Sequence, residues 1–147
     1  DAMSAQPTVT ITRVESWLKS EGVGYEVASD GNLLTGFDSC TVSIVDCDSN
    51  FLMVLGSWRG EFAAADAPAL AAYVDECNST MYAPRATMGS FDDGVTRLQA
   101  DVTAFTAEGM SEAQLHGFLD TAFSALLGFY EAVAEDFPSL VTWKGGS

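Results

Sequence analysis

The spacing of apolar residues along the chain switches repeatedly between the helical and the strand period, and each switch marks an element. Ile11, Val14, Trp17 and Leu18 recur at helical spacing, and Gly22 after Glu21 supplies a stop. Thr10 or Thr12 can cap the start of this helix, and Thr12 with Glu15 has capping-box spacing. Residues 1–9 carry no periodicity and read as a flexible N-terminal arm. A run of strands follows. Tyr25–Ala28 enters the turn Ser29-Asp30-Gly31-Asn32 and Leu33–Phe37 leaves it. Cys40–Asp46 then alternates, with Cys40, Val42 and Ile44 on one face. Phe51–Arg59 is apolar on both, with Phe51, Met53 and Leu55 against Leu52, Val54 and Trp58. A strand of that kind is either central in a covered sheet or part of an interface.

Asp66 with Pro68 just inside starts a second helix, whose stripe is Leu70, Tyr73, Val74, Cys77 and Met81. Pro84 blocks its continuation. Arg85–Phe91 and Val95–Phe105 form a hairpin around Asp92-Asp93-Gly94. The second of these strands alternates, with Leu98, Ala100, Val102 and Ala104 inward and Arg97, Gln99, Asp101 and Thr103 outward. Ser111 and Gln114 are spaced as a capping box, so the last helix begins there and runs to about Asp136, before Phe137-Pro138. Phe118, Leu119, Ala122, Phe123, Leu126, Leu127, Phe129, Tyr130 and Val133 cover more than one of its faces. The remaining stripe, Gly117, Thr121, Ser124 and Gly128, is made of small residues. Such a helix is either sunk in its own core or covered by a second surface. Residues 139–147 read as a mobile C-terminal tail behind one domain over 10–138.

The order is α-β-β-β-α-β-β-α, with three or four strands before the middle helix. Short connections make the pairing antiparallel. The predicted class is α+β, an antiparallel sheet of about five strands with helices packed on it.

Composition narrows the function. The 147 residues are 48% hydrophobic and 18% charged, enough to bury a core. Six Lys+Arg against 21 Asp+Glu give a net charge of -15, and the basic residues never cluster. That balance repels phosphate backbones and anionic headgroups, so no nucleic acid and no membrane surface is expected as a partner. The apolar stretch Thr121–Tyr130 is about half of what a membrane-spanning helix needs. No basic segment followed by an apolar one marks a signal peptide. Cys40 and Cys47 bracket one strand, roughly 23 Å apart if extended, too far for a disulfide. Three free thiols in a cytoplasmic protein is the expectation.

Candidate chemistry is sparse. Asp46, Asp48 and Asn50 form D-x-D-x-N, but calcium needs a later glycine and a bidentate Glu where Phe51 and Ser57 stand. A solvated hairpin turn is the better reading. Gly22-Val23-Gly24 follows a helix and precedes a strand, the reverse of a dinucleotide loop. His116 reads as a surface residue beside Asp120, one turn on, and no cysteine pair has zinc-ligand spacing. No catalytic residue, metal or cofactor is expected.

The order from Ile11 to Phe137 resembles the YbjN-domain family, bacterial proteins labelled as sensory transduction regulators that share the fold of type III secretion chaperones. The residues that carry the resemblance are Ile11-Thr12-Arg13-Val14-Glu15-Ser16-Trp17-Leu18, Gly56-Ser57-Trp58-Arg59, Val74-Asp75-Glu76-Cys77-Asn78 and Pro84-Arg85-Ala86. Leu115, Phe118, Leu119, Phe129 and Tyr130 follow, before Glu135-Asp136-Phe137-Pro138. Cys77 and Ala83 stand where the family often has tryptophan. The resemblance implies a non-enzymatic, dimeric protein and carries over no catalytic residue. A protein-binding or chaperone-like regulator is the leading reading, with a homodimer and an unidentified protein partner. A small-ligand sensor and an unrecognised enzyme stay open. The candidate partner-binding residues are Phe51, Met53, Leu55 and Trp58 on the strand and Gly117, Thr121, Ser124 and Gly128 on the last helix.

Overall fold

The computed structural model describes residues 6–91 and 93–143. Helix α1 is Ile11–Ser20, followed by strands β1 (Glu26–Val27), β2 (Leu33–Gly36), β3 (Cys40–Cys47) and β4 (Phe51–Trp58). Helix α2 (Ala67–Thr80) leads to β5 (Arg85–Ser90) and β6 (Thr96–Phe105), and α3 (Glu112–Asp136) ends the sequence of major elements. Six strands form one antiparallel sheet in the order β1-β2-β3-β4-β6-β5. The α+β class stands with six strands, the one predicted over Tyr25–Ala28 being the two-residue β1.

Local chemistry accounts for most boundaries. Thr10, not Thr12, caps α1, its hydroxyl accepting from the Arg13 N–H at 3.2 Å. The β3–β4 turn puts Asp48 and Ser49 at positive φ, and the Asp46 carboxylate accepts the Ser49 N–H at 2.8 Å. Asp46 is thereby a turn-former. At α3 the Ser111 hydroxyl accepts from the Gln114 N–H, and the Gln114 amide oxygen accepts from the Ser111 N–H. Both halves of the capping box form.

The strands present two different faces. Leu33, Val42, Ile44, Leu52, Val54, Trp58, Leu98 and Ala100 point to one side and are buried with α1, α2 and α3. Alternating side chains along a strand make this the inner face. Helix α3 is seated at its centre, where the buried Tyr130 hydroxyl donates to the Gly56 carbonyl at 2.7 Å. A Cβ at position 56 would come within 3.0 Å of the Tyr130 ring, so glycine lets the helix approach. Trp58 folds beneath Gly60, where any Cβ would collide with the indole. At the edge, the Asn78 side chain joins α2 to β5 by bonds to both the N–H and the carbonyl of Ala86, at 2.8 and 2.9 Å.

Three expectations need correction. Residues 6–9 do not hang loose. Val9 is fully buried, and Arg13 reaches back to the carbonyls of Pro7, Thr8 and Met110, while the Met110 N–H donates to the Pro7 carbonyl. Residues 139–143 are not a free tail either. Pro138–Leu140 makes one 3₁₀ turn and Trp143 stands edge-on to Trp58, ring centres 5.4 Å apart. Residues 1–5, 92 and 144–147, on which parts of the arm, hairpin turn and tail fall, lie outside the described residues. On β6, Val102 and Ala104 are only half-buried. Asp101 does lie on the opposite face, yet it is 6% exposed because the Arg85 side chain covers it.

Candidate protein-binding surface

Among the described residues no helix lies on the other side of the sheet. Register fixes which side chains stand together there. One row runs Cys47–Phe51–Phe105 across β3, β4 and β6, and the next runs Val45–Met53–Thr103. A third crosses the whole sheet as Glu26–Leu34–Ser43–Leu55–Asp101–Arg85. Beyond it the rows turn polar, with Gly36, Thr41, Ser57, Gln99 and Thr87. Half of this outer face is therefore apolar and half polar.

The apolar half is open. Phe105 is 60% exposed, Phe51 45% and Leu34 41%, while Val45, Met53 and Leu55 are half-buried among them. Phe51 and Phe105 meet edge-to-face with ring centres 5.6 Å apart, which fixes both side chains as a ridge. Charge is confined to the margins. Glu26 lies at one end of the third row. At the other, Asp101 is held by Arg85 at 3.1 Å and by the Thr103 hydroxyl at 2.8 Å. A clustered, exposed and uncharged apolar area of this kind is a recognised mark of protein contact.

The candidate residues separate into three places. Phe51, Met53 and Leu55 lie together on the open half. Trp58 is on the inner face, fully buried, so its assignment to a surface is corrected: alternation along β4 puts it with Leu52 and Val54. Its indole N–H has no hydrogen-bond partner among the described residues. Gly117, Thr121, Ser124 and Gly128 are exposed on α3, on the far side of the molecule from the open face. A Cβ added at Gly117 or Gly128 would meet nothing. The helix is thus covered on its apolar sides by its own core, with Phe118 and Leu127 half-buried at the margin. Leu34, Val45 and Phe105 went unassigned. Continuing the β6 alternation from Thr103 places Phe105 outward, and an aromatic there was the available signal.

Reactive groups are either buried or dispersed. Burial pushes the thiols of Cys40 and Cys77 above their ordinary values, and Cys47 alone is exposed. Burial also raises the Tyr130 phenol, as it does that of Tyr73, where the bond to Asp136 at 2.7 Å adds to the effect. His116 contacts Glu112 at 3.8 Å rather than Asp120. Among the described residues no group of three or more His, Cys, Asp or Glu is placed to hold a metal ion, and no helix is long and apolar enough to cross a membrane.

Residues 10–135 match a family model named YbjN and described as "Putative bacterial sensory transduction regulator". The chain belongs to the YbjN family. A search of curated proteins finds no match. Among solved structures, the crystal structure of YbjN from E. coli, there called "a putative transcription regulator", superposes with TM-score 0.74 at 16% identity. It covers 89% of this chain and 96% of that one. The HopA1-SchA chaperone–effector complex gives TM-score 0.48 at 13% identity, over 84% and 96%. Cys77, on α2, is buried, whereas Ala83 is exposed.

Proposed function

We propose that this YbjN-family chain is a non-enzymatic protein-binding module, chaperone-like or regulatory, that pairs with a second copy through the apolar half of its open sheet face. The observation that carries this reading is the uncharged apolar field of Phe51, Met53, Leu55, Phe105, Val45 and Leu34 on a chain of net charge -15. Two such chains repel one another wherever carboxylates face, and this field offers contact without facing carboxylates. A two-fold axis through it sets the same ridge against itself, the commonest closed solution. Covering these side chains stabilises the pair by about 25 cal/mol for each Å² of apolar surface still open, before the cost of association. The acidic remainder stays at the rim, where salt screens it within roughly 8 Å.

The family description and the likeness to YbjN of E. coli favour a regulatory setting. Three cysteines without a disulfide, two of them buried, support a reducing, cytoplasmic one. The net charge argues against nucleic acid as the partner. The test is mass in solution. Light scattering on wild type at high micromolar concentration should give a dimer, and Met53→Asp should give a monomer with unchanged circular dichroism. A wild type that stays monomeric there ends the reading.

A further inference from the structure

A second concave surface lies across the molecule from the open sheet face. It runs between the last three turns of α3, the Phe37–Ser39 turn that joins β2 to β3, and the segment after Pro138. The groove has a volume of about 830 Å³. Its floor is apolar, built from Phe37, Leu127, Ala134 and Trp143, all half-buried. Of the two hydroxyls in its lining, Ser39 and Tyr130, the second is already donated to the Gly56 carbonyl. Small polar ligands require several convergent polar groups, and these are missing from the floor.

The rim is another matter. Asp38, Glu131 and Glu135 are exposed around the opening, and among the described residues none of them has an ion-pair partner. Leu127, Glu131 and Ala134 follow one another at helical spacing, so apolar floor and acid rim alternate along one side of α3. No Lys or Arg lines the groove among the described residues. The nearest guanidinium, on Arg59, donates to the Phe37 carbonyl at 2.9 Å and lines the neighbouring depression. Glu135 also lies in the last turn of a long helix, where the helix dipole disfavours a carboxylate. A cation brought to it therefore relieves a local repulsion.

We propose that this groove takes a basic amphipathic segment of a partner protein, its apolar side chains on the floor and its Lys or Arg side chains on Asp38, Glu131 and Glu135. This rests on the protein-binding reading above and adds the chemistry of the partner. It does not use the open sheet face.

The probe is a fluorescein-labelled leucine–lysine amphipathic peptide of about fourteen residues, roughly four helical turns. Its counterpart carries glutamate at every lysine. Anisotropy is followed at about 0.15 M salt, where long-range attraction to a net-negative surface is screened. The lysine peptide should bind and the glutamate peptide should not. Glu131→Lys/Glu135→Lys should weaken binding by tenfold or more, and both positions are exposed on α3, so folding is not at risk. Asp75→Lys/Glu76→Lys makes the same change of charge on the exposed side of α2 and should weaken it less than threefold. Leu127→Ser should weaken it with Trp143 emission retained. No binding by wild type, equal binding of both peptides, or equal loss in both charge pairs overturns the proposal. A change of mass in the Glu131/Glu135 variant overturns it too, because the groove would then hold a second copy. Met53→Asp should leave the peptide affinity unchanged, so failure of the dimer and failure of the groove are read separately.

Discussion

The two faces of the sheet are made by the same strands, and one chain covers only one of them. On β4, Leu52 and Val54 lie under α3 with no exposed surface, while Phe51, Met53 and Leu55, one position removed, form an open apolar field. Both sets have the hydrophobicity of a core. What separates them is whether an element of the same chain is available as a lid, and the three helices are all spent on the inner side. An antiparallel sheet with one wet face ordinarily makes that face polar, as the row through Thr41, Ser57 and Gln99 does here. The apolar half departs from that pattern, and the departure is the ground for proposing a second protein surface there.

The comparison breaks most readily at neighbouring positions. Leu52→Ala should lower stability by about 2–5 kcal/mol through loss of burial and the cavity it leaves. Met53→Ala should cost under about 1 kcal/mol in urea denaturation at dilutions where the chain is single. Equal losses would mean that the outer face is covered within the monomer. Next in size is the contact that seats α3. Tyr130→Phe removes the donor to the Gly56 carbonyl and should cost about 0.5–1.5 kcal/mol, the net worth of one intramolecular hydrogen bond.

Alkaline titration sharpens the same contrast from the inner side. Cys40, Cys77, Tyr73 and Tyr130 all have their acid forms favoured by folding. The unfolded chain therefore gives up protons first as pH rises. The stabilisation is complete below the ordinary values, and is lost progressively from about pH 8.5 upward. Melting temperature should fall over that range, and less steeply in Tyr130→Phe. A smaller effect separates the thiols by face: Cys47 should react with a disulfide reagent at once, Cys40 and Cys77 only on unfolding. Cys47 stands beside Phe51, so its reaction should slow as protein concentration rises.

Much of this arrangement was legible in the residues. Helix caps and turns are local, so Ser111 with Gln114 and the Asp46–Asn50 turn announce themselves within a few positions. Alternation gave both sets of β4 side chains. What local pattern does not carry is which partner a strand finds. The insertion of β6 between β4 and β5 decides that Phe105 meets Phe51, and only the register shows it. Trp58 was misplaced for the same reason, since an aromatic on either face of an apolar strand looks alike until one face has a helix on it. Asp101 is buried by Arg85, which reaches across from the next strand, and Val9 follows Pro7 and Thr8, which Arg13 and Met110 tie down. The groove exists because the segment after Pro138 folds back toward Trp58 and α3, a return that carries no periodic signal.

The central claim is that the open apolar field is a contact surface between copies of this chain. Sedimentation equilibrium over a concentration series tests it most directly. The account predicts a single reversible transition to twice the chain's 15.6 kDa, abolished by Met53→Asp and retained in Glu131→Lys/Glu135→Lys. A wild type that remains at the monomer mass throughout the series, or a dimer indifferent to Met53→Asp, would contradict it.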